Sequence, residues 1–127
     1  MILIVEDNVK NMKLVRDLLK AKGYQTVESA TGEEGVRLAR ERGPKLVLMD
    51  IQLPGMNGIE ALGHLRGDPT TRDIPVIAVT ASVMSQDKKK IMEAGFDGFQ
   101  RKPLEFGEFL EAVRQMLDKP PRGRGTE

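Results

Sequence analysis

Three runs along the chain are apolar at every position: Ile2-Leu3-Ile4-Val5, Leu46-Val47-Leu48-Met49 and Val76-Ile77-Ala78-Val79. Such runs suit strands buried on both faces. Two further strands are expected to be more polar, one at residues 25–29 (QTVES) and one near 98–101 (GFQR). Between the runs the period lengthens to that of a helix. Residues 8–22 place Leu14, Val15, Leu18 and Leu19 on one face, with Lys10, Lys13, Asp17 and Lys20 elsewhere, and Gly23 as the stop. Thr31-Gly32-Glu33-Glu34 reads as a capping box for a second helix, which runs to about Glu41 and is stopped by Gly43-Pro44. A third helix over 58–66 carries Ile59, Leu62 and Leu65 inward; a polar loop, 67–74, then leads to Pro75 and the fourth strand. The fourth helix, 84–94, has the weakest pattern: Met84, Ile91 and Met92 are its inward candidates, and 86–90 is unbroken polar sequence. The fifth, 105–117, is the clearest amphipath, with Phe106, Phe109, Leu110, Val113, Met116 and Leu117 on one side.

Five strands alternating with five helices imply an α/β fold in which a parallel sheet is covered on both faces. The polar character of the second strand marks it as an edge. The expected order is 2-1-3-4-5, the doubly wound, flavodoxin-like (βα)5 arrangement, with a ligand crevice between strands 1 and 3. The 127 residues suffice for one domain, expected over 1–118, and the last nine, KPPRGRGTE, lack apolar residues and are expected to be a disordered tail.

Composition narrows the function. A formal net charge of +1 gives no electrostatic case for nucleic acid, so no direct DNA binding is expected. The absence of cysteine excludes thiolate chemistry and disulfides, and fits a cytoplasmic location. No apolar run reaches the roughly 20 residues of a membrane span. With aromatics at 4% and no Trp, stacking on a base or a flavin is not expected.

The three apolar runs and the strand near 98–101 end on chemistry at the same edge of the sheet: Glu6-Asp7, Asp50, Thr80 and Lys102. Three carboxylates in one pocket repel, each pair by about 4 kcal/mol at ~4 Å and an effective dielectric of ~20, before screening. A cation stabilises such a cluster. The ligand set is all oxygen, without His or Cys, which selects a hard ion; few protein ligands with room for water favour Mg²⁺ over Ca²⁺. An anion that bridges the metal, the Lys102 ammonium and the Thr80 hydroxyl while joined to a carboxylate oxygen is an aspartyl phosphate.

In order along the chain, the motifs VEDN, LMDIQLPGMNG, VTA and KP resemble the receiver domain of two-component response regulators, from Ile2 to about Leu117. The opening VEDNVKNMKL and the later ASVM are most similar to stand-alone receivers of the DivK type. Receivers fused to hybrid kinases look similar here. The resemblance implies that Asp50 is the phosphoacceptor and that Asp7 ligates Mg²⁺ directly. Glu6 would act mainly through water, and the Gln52 carbonyl would be a further ligand. Lys102 would contact the phosphoryl oxygens, and Thr80 would move to bind them. Phe99 holds the aromatic switch position, where the family often has Tyr. The Lys102-Pro103 bond would be cis. The donor would be a histidine kinase or a histidine phosphotransfer protein docking near Asn11, Met12, Val15 and Pro103. A downstream protein would read the fourth helix, fifth strand and fifth helix. Such a protein is a monomer or weak dimer, and catalyses only its own phosphorylation and dephosphorylation.

Blander readings compete at each residue. Glu6 and Asp7 can serve as first-turn acids of a helix, Thr80 as a cap and Lys102 as a solvated charge. His64, the sole histidine, reads as a surface residue, and residues 122–124 as part of a linker. Two other functions fit less well. An aspartate-nucleophile phosphatase wants an acid two residues after its nucleophile, where this chain has Gln52. A flavodoxin wants a Ser/Thr-rich phosphate loop after strand 1, where Glu6-Asp7 would repel a phosphate. A receiver excised from a longer regulator, or a scaffold that is not phosphorylated, remains open.

Overall fold

The computed structural model describes residues 1–81 and 85–118, and the expectations for Met84 and for the tail at 119–127 lie outside them. Five strands, β1 (Ile2–Val5), β2 (Thr26–Ser29), β3 (Leu46–Asp50), β4 (Val76–Thr80) and β5 (Gly98–Arg101), alternate with five helices. These are α1 (Val9–Ala21), α2 (Gly32–Arg42), α3 (Gly58–Arg66), α4 (Ser85–Glu93) and α5 (Phe106–Asp118). All pairings are parallel and the order is β2-β1-β3-β4-β5, as the pattern of polar and apolar strands predicts.

Although β1, β3 and β4 read as continuous apolar runs, the strand's two-residue period splits each between two cores. Leu3, Val5, Val47, Met49, Val76 and Ala78 pack with Val36 and Ala39 of α2, Ala61, Leu62 and Leu65 of α3, and Ile91 of α4. Ile2, Ile4, Leu46, Leu48 and Ile77 face Met12, Val15 and Leu19 of α1 and Phe109, Val113 and Met116 of α5.

The helices start and stop by local chemistry. The Asn8 and Thr31 side chains accept the N–H of Asn11 and Glu34 at the heads of α1 and α2. Gly43 ends α2 at φ 56°, a conformation that only glycine adopts cheaply. The expected capping box at Thr31 is half formed. Glu34 turns outward to Arg37, while the Thr31 N–H donates to Ser29 Oγ. A complete box sits instead at α3, where Asn57 Oδ1 accepts the Glu60 N–H and Glu60 Oε1 accepts the Asn57 N–H.

Four residues expected to face inward do not. Leu14 is 38% exposed, Ile59 37%, Met92 40% and Phe106 49%. In α1 the buried stripe is Met12, Val15 and Leu19, and Leu14 sits to its side. Ile59 and Met92 lie at the margins of theirs. Phe106 is the first residue of α5, ahead of the buried stripe that begins at Phe109.

Candidate functional site

Strand register brings the chemistry together. Val5 lies opposite Met49, so Glu6 emerges beside Asp50; Asp50 lies opposite Val79, and Thr80 opposite Arg101. The Lys102 N–H then continues the ladder by donating to the Thr80 carbonyl at 2.8 Å. Each side chain is thus fixed by the last hydrogen bonds of a strand rather than by a loop.

Glu6, Asp7 and Asp50 each offer a carboxylate oxygen within 4.8 Å of the other two. Glu6 and Asp50 are 5% and 4% exposed, while Asp7 is open to solvent. Lys102 reaches across β3 and β4 with its Nζ 2.9 Å from Glu6 Oε1 and 3.1 Å from Asp50 Oδ2. The second Glu6 oxygen accepts the Asn8 N–H at 3.2 Å, and Asp50 Oδ1 accepts the Gln52 N–H at 3.0 Å. Thr80 is buried at the end of β4.

This is an excess of buried negative charge only partly relieved. Burial pushes the Glu6 carboxyl above its usual range; Lys102 pulls it down, and neighbouring Asp50 pushes it up again. Burial alone would lower the Lys102 ammonium, yet Glu6 and Asp50 together outweigh it and hold it above the ordinary value. One ammonium against three carboxylates leaves net negative charge at an open oxygen-lined site, which fits a hard divalent cation. Glu6, Asp7 and Asp50 would hold it, with the Gln52 carbonyl on the adjoining segment.

The segment after Asp50 is clamped from below. Leu53 is buried in the α2–α3 core, and the Gly58 N–H donates to the Ile51 carbonyl at 3.0 Å. A Cβ on Gly58 would lie 2.4 Å from the Asp50 carbonyl oxygen, so only glycine allows α3 to start directly under the acid. The Asn57–Glu60 box and Gly58 were not singled out from the sequence as site supports. The signal was there, an Asn followed three residues later by Glu.

The remaining expected positions fall into two groups. The Lys102-Pro103 bond is cis. Phe99 is half-buried beneath α4, with the Lys88 ammonium 5.7 Å from its ring centroid. Of the expected docking positions, Met12 and Val15 are 8% and 5% exposed, because they form the α1 stripe that faces the sheet. A groove of about 490 Å³ does lie here, between α1 and the start of α5. Asn11, Leu14, Pro103, Leu104 and Phe106 line it, and Val15 contributes to its floor. His64 is exposed, away from these groups.

Comparison with known proteins bears on this arrangement. Residues 2–114 match the family described as the response regulator receiver domain. The polar-differentiation response regulator DivK of Brucella ovis is 46% identical over 116 residues, covering 91% of this chain and 94% of DivK. Among solved structures, the receiver domain of a sensor histidine kinase from Pseudomonas aeruginosa superposes with a TM-score of 0.87 at 30% identity, covering 93% of this chain and 97% of that one. That domain was crystallised with a magnesium ion coordinated in its active-site cleft. A response regulator described as putative, from Chloroflexus aurantiacus, gives a TM-score of 0.89 at 28% identity, with 93% and 97% covered.

Proposed function

Because the chain belongs to the response regulator receiver domain family of two-component signalling, we propose that it carries a phosphoryl group on Asp50 and reports that state to another protein. The donor is a phosphohistidine on a histidine kinase or histidine phosphotransfer protein. An Asp50 carboxylate oxygen attacks phosphorus, the P–N bond breaks, and its electron pair returns to the imidazole, which takes up a proton. Bound Mg²⁺ supplies the positive charge that lets an anionic nucleophile approach an anionic phosphoryl group.

The observation that carries this reading is the cluster itself: three carboxylate oxygens within 4.8 Å, beside an ammonium that already contacts two of them. Lys102 is placed to pass from the Asp50 carboxylate to a phosphoryl oxygen on the same group. Thr80, buried at the neighbouring strand end, supplies a hydroxyl to the phosphoryl group and draws α4 with it; Phe99 beneath α4 follows. The readout surface is α4, β5 and α5, and the target is a protein, as for a DivK-like regulator. The donor docks over the groove at Asn11, Leu14, Pro103 and Phe106. Gln52, an amide where a phosphatase has its general acid, leaves hydrolysis of the acyl phosphate slow. The protein works in the cytoplasm as a monomer or weak dimer.

Asp50→Asn tests the assignment. The wild type incubated with labelled acetyl phosphate or a phosphorylated kinase is expected to acquire hydroxylamine-labile label, and the variant none. Excess EDTA is expected to stop labelling of the wild type. Label of equal size on the variant, resistant to hydroxylamine, would place the acceptor elsewhere.

A further inference from the structure

The acids of the site sit on two separate segments, Glu6-Asp7 after β1 and Asp50-Gln52 after β3, and the first turn of α2 touches the supports of both. On one side, the Glu6 N–H donates to the Ser29 carbonyl at 3.0 Å. The buried Ser29 hydroxyl in turn donates to the Thr31 carbonyl at 2.7 Å and accepts the Thr31 N–H at 3.3 Å. This suspends the head of α2 from the end of β2. On the other side, the segment after Asp50 lies on that head. A Cβ on Gly32 would meet the Met56 carbonyl oxygen at 2.8 Å and the Met56 side chain at 3.4 Å, and one on Gly55 would approach Glu33 Oε2 at 3.5 Å. Gly32 is buried, and its missing side chain lets residues 51–57 settle at their present height.

Two features show that this approach is not incidental. Gly32 does not have the positive φ that would demand glycine, so its backbone suits any residue and only the approach of Met56 calls for a bare Cα. Moreover, the obstructing atom is backbone, and residues 51–57 are held at both ends by Asp50 in β3 and by the Asn57 cap of α3. A push at Met56 therefore cannot be absorbed by a swinging side chain, and is passed along a short tethered loop to Gln52.

We infer that Gly32 is a positioning residue for the metal site: the bare first turn of α2 sets the spacing between the β1 acids and the β3 segment that carries Asp50 and Gln52. The inference rests on the proposed Mg²⁺-dependent phosphoacceptor reading. Gly32→Ala lifts the 51–57 segment and weakens Mg²⁺ binding, whereas a merely structural role would lower the melting temperature and leave the affinity of the folded protein alone.

The test is a Mg²⁺ titration of the full chain, followed by calorimetry or by the amide resonances of residues 50–53, with thermal melts in EDTA run alongside. Gly32→Ala is expected to raise the Mg²⁺ dissociation constant by about tenfold or more, the scale typical of lost outer-shell support, while still melting cooperatively. Gly63→Ala, a helix glycine with nothing within 4 Å of the added Cβ, is expected to bind Mg²⁺ as the wild type does. Should Gly32→Ala not fold, Ser29→Ala carries the test, since it loosens the suspension of α2 without adding bulk; it is expected to weaken binding in the same sense. Wild-type affinity in a folded Gly32→Ala, or in Ser29→Ala where that variant stands in, overturns the inference. A wild type that binds no Mg²⁺ overturns the site reading itself, which the Gly63→Ala titration then repeats independently.

Discussion

Glu6 bears a carboxylate in a place where burial opposes its charge. Burial raises its pKa above the ordinary 4.5; Lys102 opposes that rise, and Asp50 adds to it. The folded protein thus holds this proton more tightly than the unfolded chain does. The contribution of Glu6 to stability is complete below the unfolded value and is lost as pH rises through the higher folded one. In EDTA, the urea midpoint is therefore expected to climb as pH falls from neutral toward the ordinary carboxylate value. Glu6→Gln, which keeps an acceptor for the Asn8 N–H, should flatten that climb. An identical slope in wild type and variant would show that Glu6 is not the titrating group. The opposing surface groups Asp17, Asp68 and Glu111 have lowered pKa values and act in a more acid window, so they do not mask the effect. At this scale the sequence was informative about identity: Glu6, Asp7, Asp50 and Lys102 are all legible as strand-end residues. The Lys102–Glu6 ion pair was not, because pairing depends on side-chain reach across two intervening strands.

At the scale of elements, the amino-terminal edge of the sheet is tied by Arg66, at the end of α3. Its guanidinium donates to the carbonyls of Arg72, Ile74 and Gly95 and to Asp97 Oδ2 at 2.8 Å, and the same carboxylate oxygen accepts the Val76 N–H at 2.8 Å. One ion pair thereby holds α3, the start of β4 and the turn before β5. Asp97→Ala takes the acceptor from the Val76 N–H and the carboxylate from a largely buried guanidinium that keeps its carbonyl partners, and is expected to cost about 1–3 kcal/mol, a drop in Tm of roughly 4–12 °C. A loss below about 0.5 kcal/mol, the level of an ordinary surface change, would show the clip to be incidental. Helix α4 is held differently. Over residues 88–93 only Ile91 is buried, whereas α5 sinks Phe109, Val113 and Met116. Amide exchange is expected to be faster in α4 than in α5, and equal protection would count against α4 as the mobile part of the readout. The same contrast shows where the sequence stopped being informative. Helix boundaries and strand runs came from local pattern, so they were legible. Whether Leu14, Ile59, Met92 or Phe106 is covered depends on where each helix meets or overhangs the sheet, and the helical period carries no such information. The Arg66–Asp97 pair spans 31 positions and leaves no periodic trace.

For the molecule as a whole, a cation that binds only the folded state raises stability by mass action. Millimolar Mg²⁺ is expected to raise the Tm of the wild type and to do almost nothing for Asp7→Asn, which in EDTA should melt above the wild type because one repelling charge is gone. Equal Mg²⁺ shifts in the two proteins would remove the carboxylate cluster as the binding site. The fold behind that cluster was readable because three all-apolar runs leave few alternatives to a covered parallel sheet. Its topology has a further consequence, in the time it takes to make the protein. Glu6 and Asp7 are made before Asp50, and Lys102 comes only after β5, the last strand of the sheet. At about 5–20 residues per second, the interval from Asp50 to Lys102 lasts roughly 3–10 s. Throughout it, the nascent chain has carboxylates without their ammonium and a β4 edge without its neighbour. The Lys102 contacts to Glu6 and Asp50 therefore form only after β5 has been made, and a chain halted before that strand holds the acids without their ammonium.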